Sequence, residues 1–154
     1  MKLLIISDTH RDTQTQKKLA MKHADFDYFI HLGDYEIPEY LLSPFGFIKG
    51  NCDLLSEAPL SRDYETSIGI IHCEHGHRLP FNIKKYMIEN NYQILLSGHT
   101  HKRKAIEFDG RLILNPGSLT RPRDNNVGTY LILEIDDKTK KISYDFKELS
   151  LEDN

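Results

Sequence analysis

A chain of 154 residues, 39% hydrophobic and 28% charged, has the length and composition of one soluble globular domain with a real core. With 20 basic against 23 acidic residues the formal net charge is −3, and the one short basic run, Lys102-Arg103-Lys104, reads as solvated surface. Long nucleic acid is therefore disfavoured as a partner, because its binding rests on phosphate neutralisation. Cys52 and Cys73 show no CxxC spacing, the N-terminal apolar run at 3–6 is too short for a signal core, and no run is long enough to span a bilayer. The expectation is a cytoplasmic protein without membrane attachment.

The run at 3–6 predicts a strand buried on both faces. A helix is expected over 12–23, started by Asp12 or Thr13, with apolar positions at Leu19, Ala20 and His23-Ala24. Strands follow at 28–32 and 45–49, separated by a short helix over 36–42 that tolerates Pro38 in its first turn. Residues 64–66 and 68–73 read as two tightly joined strands, 82–90 as a helix and 93–96 as a strand. Asp109-Gly110 between 104–108 and 111–114 is a hairpin signal, and 127–135 with 141–148 form a second antiparallel pair. The first half is thus βαβαβ and the second rich in hairpins, which fits a layered mixed α/β fold with two sheets, one domain over 1–150 and a loose tail at 151–154.

Five clusters of metal-capable side chains stand at the ends of these strands: SDTH, LGD, GNCD, EHGH and SGHTH. They offer Asp8 and His10, Asp34, Asn51 with Asp53, His75 and His77, and His99 and His101. Alternate residues of an extended segment share a face, so each D-x-H or H-x-H pair points one way. One such pair is weak evidence, whereas five clusters at strand ends suffice for two divalent ions, a pairing that points to phosphate-ester chemistry. Asp53 is expected to support a ligand rather than bind metal. His31, His72 and Cys73 read as core or surface residues, His23 as solvent-facing, and Asn115 and Ser118 as shaping the rim of the site. Arg11, Arg78, Arg121 and Arg123 are unranked candidates for contacting phosphate.

In order, SDTH, GD, GN-x-D, HGH, GHTH and the NPGS at 115–118 resemble the motifs of the calcineurin-like metallophosphoesterases, and the short chain with its GNCD form is similar to the small YfcE-type phosphodiesterase branch. The resemblance runs from residue 3 to about 135. It implies a four-layer α/β/β/α sandwich with two mixed sheets and metals at one edge. It assigns Asp8, His10 and His101 to one metal and Asn51, His75 and His99 to the other, with Asp34 bridging. Nitrogen and oxygen donors without thiolate suit Mn²⁺, Fe²⁺, Ni²⁺ or Zn²⁺ better than Mg²⁺ or Ca²⁺, with Mn²⁺ favoured. Ions about 3.5–4 Å apart share a hydroxide that attacks phosphorus. The expected activity is hydrolysis of a small phosphodiester or phosphomonoester; the alternative is a non-catalytic metal-binding scaffold on the same fold. Homo-oligomer formation stays open. Many larger relatives carry His directly after the motif Asn, where this chain has Cys52, a poor proton donor near neutral pH; His77 is the replacement candidate for the catalytic acid.

Overall fold

The computed structural model describes residues 1–150; the expected tail at 151–154 lies outside the described residues. One sheet contains β1 (Lys2–Ile6), β2 (Tyr28–His31), β3 (Gly46–Phe47), β9 (Thr129–Ile135) and β10 (Ile142–Glu148), in the order β10-β9-β1-β2-β3. The other contains β4 (Ser61–Thr66), β5 (Gly69–Glu74), β6 (Tyr92–Leu96), β7 (Arg103–Phe108) and β8 (Arg111–Pro116), in the order β4-β5-β6-β8-β7. Each is mixed: β1, β2 and β3 run parallel, as do β5, β6 and β8, and antiparallel strands complete the edges. No helix among the described residues is long and apolar enough to cross a membrane.

Strand alternation builds the layers. Leu3 and Ile5 of β1 join Ile71, Ile94, Leu96 and Leu114 of the second sheet in the central core. Leu4 and Ile6 point the other way, onto Leu19 and Ala20 of helix α1 (Gln14–Lys22). On the far side, Met87 of α2 (Ile83–Asn90) packs on Leu95 and Ile113. The result is the expected α/β/β/α sandwich.

Four local expectations need correction. Helix α1 begins two residues late; Asp12, not Thr13, caps it by accepting from the Thr15 amide at 2.9 Å. His23 is half-buried between Phe26 and Tyr130 rather than solvent-facing. The helix expected over 36–42 is a single 3-10 turn, Glu39–Leu42, because the Glu36 amide is drawn to Asp53 and Pro38 delays the first turn. Finally, β3 is only two residues long: the Lys49 amide leaves β2 for the Pro59 carbonyl, which brings Gly50 against Asp34.

Of the two expected placements, core or surface, His72 takes the buried one, within a charged network. Its Nδ1 meets Asp63 at 2.5 Å and its Nε2 meets Glu74 at 2.7 Å, while the Tyr86 hydroxyl donates to Glu74 at 2.9 Å and Tyr92 stacks on the ring. Burial opposes the imidazolium, yet Glu74 and Asp63 outweigh it and raise the His72 pKa, and the same contacts hold Glu74 below the usual carboxylate range despite its burial. The raised His72 pKa makes the pair's stabilisation complete below the ordinary imidazole pKa and lost as pH rises through the raised value; the depressed Glu74 pKa makes it disappear in acid. His72→Leu should therefore cost about 3 kcal/mol, the low end for breaking a buried pair because Asp63 is half exposed. Thermal melts from pH 5 to 9 should show the gap to wild type widest near pH 6 and closing in alkali. A gap independent of pH would mean that the ring acts only by packing.

Candidate metal centre

The chemistry-bearing loops all leave the C-terminal ends of parallel strands, where mixed α/β sheets place their ligands. Residues 7–11 follow β1, 32–36 follow β2, 48–53 follow β3, 75–78 follow β5 and 97–102 follow β6, so topology gathers them on one edge of the sandwich. Seven residues there have left-handed backbone without being glycine: Asp8 (φ 54), His10 (φ 39), Arg11 (φ 73), Asp34 (φ 59), Glu36 (φ 51), His99 (φ 70) and His101 (φ 60). Each such conformation costs of order 1 kcal/mol and persists only where its surroundings impose it.

Those surroundings are hydrogen bonds between loops. The Asp8 amide donates to the Gly33 carbonyl and the His10 amide to the Asp34 carbonyl, both at 3.0 Å. Ser118 Oγ donates to the Asp8 carbonyl at 2.8 Å, and the His99 amide to Asp8 Oδ2 at 3.0 Å. Asn115 donates to the Gly98 carbonyl at 2.8 Å. Asn115 and Ser118 are thus buried fasteners beneath the loops, not parts of the rim. A Cβ on Gly98 would collide with Ser7 Oγ and one on Gly50 with Asp34 Oδ1, so only glycine lets the loops approach. His31, fully buried, accepts from the Gly33 amide through Nδ1 and donates from Nε2 to Thr9 Oγ1 at 2.8 Å; burial pushes its pKa to about 3, and it ties the first loop to the second as a neutral ring.

Two ligand groups are built from the motif residues, and a third, His10 with Glu36 and Cys52, shares His10 with the first. Asp8, His10 and His101 offer atoms all within 4.8 Å of one another, and so do Asp34, His75 and His99. Asn51 stands beside the second group, its Oδ1 3.1 Å from His99 Nδ1. The groups adjoin: Asp8 Oδ1 lies 3.3 Å from His101 Nε2 and 3.7 Å from His75 Nε2, and His75 Nε2 is 3.1 Å from Asp34 Oδ2. Although burial raises them, the carboxyls of Asp8 and Asp34 are held below the usual range, by His101, His75 and Ser7 for Asp8 and chiefly by His75 for Asp34.

Three imidazoles have their tautomer set from outside. His75 Nδ1 donates to the Leu32 carbonyl at 2.8 Å, His101 Nδ1 to the Arg121 carbonyl at 2.7 Å, and His10 Nδ1 to Glu36 Oε2 at 2.7 Å. The Nε2 atoms of His75 and His101 are thereby turned toward Asp34 and Asp8, and that of His10 toward His101, the usual preparation of a metal-binding histidine. Nothing in the sequence marks the two carbonyls, and Glu36 was readable only as a carboxylate two residues beyond Asp34.

A divalent cation fits this arrangement. Asp8 Oδ1 and His75 Nε2 are buried without a hydrogen-bond partner among the described residues, an expensive state for polar atoms unless something binds them. His10 Nε2 and His101 Nε2 face each other at 3.3 Å, and two lone pairs so close require a cation or a proton between them. A carboxylate–imidazole donor set is what borderline divalent ions prefer.

Asp53 does not orient a histidine. It is spent on the backbone, accepting from the Asp34 amide at 2.7 Å and from those of Glu36 and Gly50 at 2.8 Å. His77 is exposed, with its ring centroid 5.5 Å from that of His75, and burial together with His75 and His99 lowers its pKa. Cys52 lies between the two cavities of this edge; burial and the nearby Asp34 push its thiol up to about 11. One cavity, of about 800 Å³, is lined by His10, His99, His101, Lys102, Arg121 and Arg123, which ranks the last two above Arg11 and Arg78 for phosphate. Arg11 instead pairs with Glu36 at 3.5 Å. Of the basic run, Lys102 lines this cavity, while half-buried Arg103 is held by Asp124.

The chain is similar to several known proteins in sequence and fold. The probable metallophosphoesterase YsnB of Bacillus subtilis is 29% identical over 154 residues, covering 94% of this chain and 90% of that protein. The crystal structure of a conserved Streptococcus pneumoniae protein, described as a predicted phosphoesterase, superposes with a TM-score of 0.85 at 28% identity, over 96% of this chain and 88% of that one. An archaeal phosphodiesterase (TM-score 0.74, 23% identity, 97% and 100% covered) and Zn²⁺-complexed Vps29 of Entamoeba histolytica (TM-score 0.71, 23% identity, 96% and 99% covered) have the same fold. The model of the calcineurin-like phosphoesterase superfamily domain matches residues 1–138, and the chain belongs to that superfamily.

Proposed function

We propose that this protein is a dinuclear metal-dependent phosphodiesterase acting on a small phosphate ester. The observation that carries the reading is the pair of adjoining ligand groups, with two orphaned buried atoms, beside a cavity walled by Lys102, Arg121 and Arg123. Asp8, His10 and His101 would hold one ion, and Asn51, His75 and His99 the other, with Asp34 between them. Two such ions would supply a nucleophile from water near neutral pH and would offset the charge that builds on phosphorus. The chain supplies position. Glu36 holds His10, the Leu32 and Arg121 carbonyls hold His75 and His101, and Asp53 holds the loop that carries Asp34. Lys102, Arg121 and Arg123 receive the non-bridging phosphate oxygens. Mn²⁺ is the favoured ion.

Metal-free protein titrated with Mn²⁺ should bind two equivalents by elemental analysis and acquire hydrolysis of a diaryl phosphodiester, with Fe²⁺, Ni²⁺ and Zn²⁺ as comparisons. A limit of one equivalent sinks the dinuclear reading. Two equivalents with no hydrolysis of any ester under any metal would favour the scaffold instead.

A further inference from the structure

A second cavity, of about 700 Å³, opens from the same edge, and Cys52 lines both. Its wall also includes Glu36, the partner of His10, so the groove is continuous with the metal centre. Its character is opposite to that of the first. Tyr40, Leu54 and Leu55 contribute its apolar wall while 79%, 81% and 99% exposed, an unusual concentration of large apolar side chains at the surface. The polar groups of the floor are already engaged: Tyr35 Oη with Ser56 Oγ at 2.5 Å, Ser56 Oγ with Glu39 at 2.7 Å, and Asp53 with three amides. What remains on offer is apolar surface and the negative charge of Glu36, Glu39, Asp53 and Glu57, against which, among the described residues, stands only Arg11, itself paired with Glu36. The first cavity carries three cations and, among the described residues, no carboxylate in its wall.

A phosphodiester has two ester arms, and the two cavities that meet at Cys52 beside the metal centre offer room for one in each. From this asymmetry we infer that the substrate is an unsymmetrical phosphodiester. One arm is neutral and aromatic, of nucleoside type, and lies along Tyr40, Leu54 and Leu55. The other carries a further negative charge toward Lys102, Arg121 and Arg123. Repulsion by four carboxylates excludes an anionic arm from the apolar groove, and a planar ring gains most from Tyr40. Continuity with the metal centre favours substrate over a second protein as the occupant. The inference rests on the phosphodiesterase reading above and deepens it.

The test uses Mn²⁺-loaded protein and three diesters: methyl adenosine 5′-phosphate, its 2-carboxyethyl counterpart, and methyl ribose 5-phosphate, which lacks the base. In wild type the base should raise kcat/KM about 10-fold or more, the scale of one aromatic–base stack. That ratio should fall toward one in Tyr40→Ser/Leu55→Ser. The carboxyethyl ester should surpass the methyl ester at low salt, and the advantage should shrink with added salt and in Arg123→Ser. Independently of catalysis, adenosine added to metal-free protein should shift the methyl NMR signals of Leu54 and Leu55. Hydrolysis of all three esters at equal kcat/KM, or ratios unmoved by the variants, overturns the inference while leaving the phosphodiesterase reading intact. Hydrolysis of none of the three while a diaryl phosphodiester is still cleaved overturns the substrate assignment alone, and hydrolysis of no diester of either kind, under any metal, overturns that reading and the substrate assignment with it. A wild-type dimer in sedimentation that Tyr40→Ser/Leu55→Ser converts to monomer also overturns it, making the groove a subunit contact.

Discussion

Asp34→Asn is expected to lower kcat by about 10³-fold or more, the loss of several kcal/mol of charge stabilisation at a metal site. Its Oδ1 accepts from the Cys52 amide at 2.8 Å and its Oδ2 faces His75 at 3.1 Å, so the amide keeps the shape and removes the charge. Folding should be retained, and metal affinity should fall. Asp53→Asn should behave differently. Its two oxygens accept from three amides, and replacing either with an NH₂ group sets donor against donor, costing about 1.5–3 kcal/mol of stability. Its effect on catalysis is indirect, through a loosened Asp34, and should be about 10–100-fold, the usual range for a supporting partner of a metal ligand. Melting curves, metal titrations and kcat for both variants check this. Equal losses of activity with both folds intact would mean that the two aspartates have been given the wrong roles.

The second large effect concerns the leaving group. In the proposed dinuclear site two ions would activate water and offset charge, but the departing oxygen would still need a proton. A thiol pushed up to about 11 holds its proton too tightly to donate it near neutral pH, and His77, with its lowered pKa, is mostly deprotonated there. Aryl diesters leave without such help, whereas alkyl diesters depend on it. Wild type should therefore prefer aryl diesters steeply, and Cys52→His should raise kcat/KM for alkyl diesters selectively, by up to the 10²–10⁴-fold that positioned proton transfer typically supplies. The Cys52 amide, which holds Asp34, survives the substitution. Aryl and alkyl diesters compared in both proteins at saturating Mn²⁺ decide the matter. Equal rates in wild type would place the proton elsewhere, and His77→Ala would show whether that residue supplies it.

The family, the layer order and the metal-capable residues were legible before any coordinate was known, because the relevant signals are local. Buried strands of parallel sheets are continuous apolar runs, and Asp8, His10, Asp34, His75, His99 and His101 follow such runs directly. Element ends were less legible where the site overrides propensity. Helix 36–42 and strand 45–49 both shrank because amides at Glu36 and Lys49 are taken by Asp53 and Pro59, partners distant in sequence. The role of Asp53 and the buried placement of Asn115 and Ser118 were likewise invisible, since a side chain's hydrogen-bond partner is chosen by what the other loops bring to it. Glu36, and the Leu32 and Arg121 carbonyls that set the imidazole tautomers, belong to the same class. So does the contrast between the cationic cavity and the acidic, apolar groove beside it. By itself, then, the sequence determined which atoms could bind metal and on which edge they would gather. The tertiary structure alone decided how they are aimed and what surrounds them, because orientation depends on contacts between residues as far apart as Asp8 and Ser118.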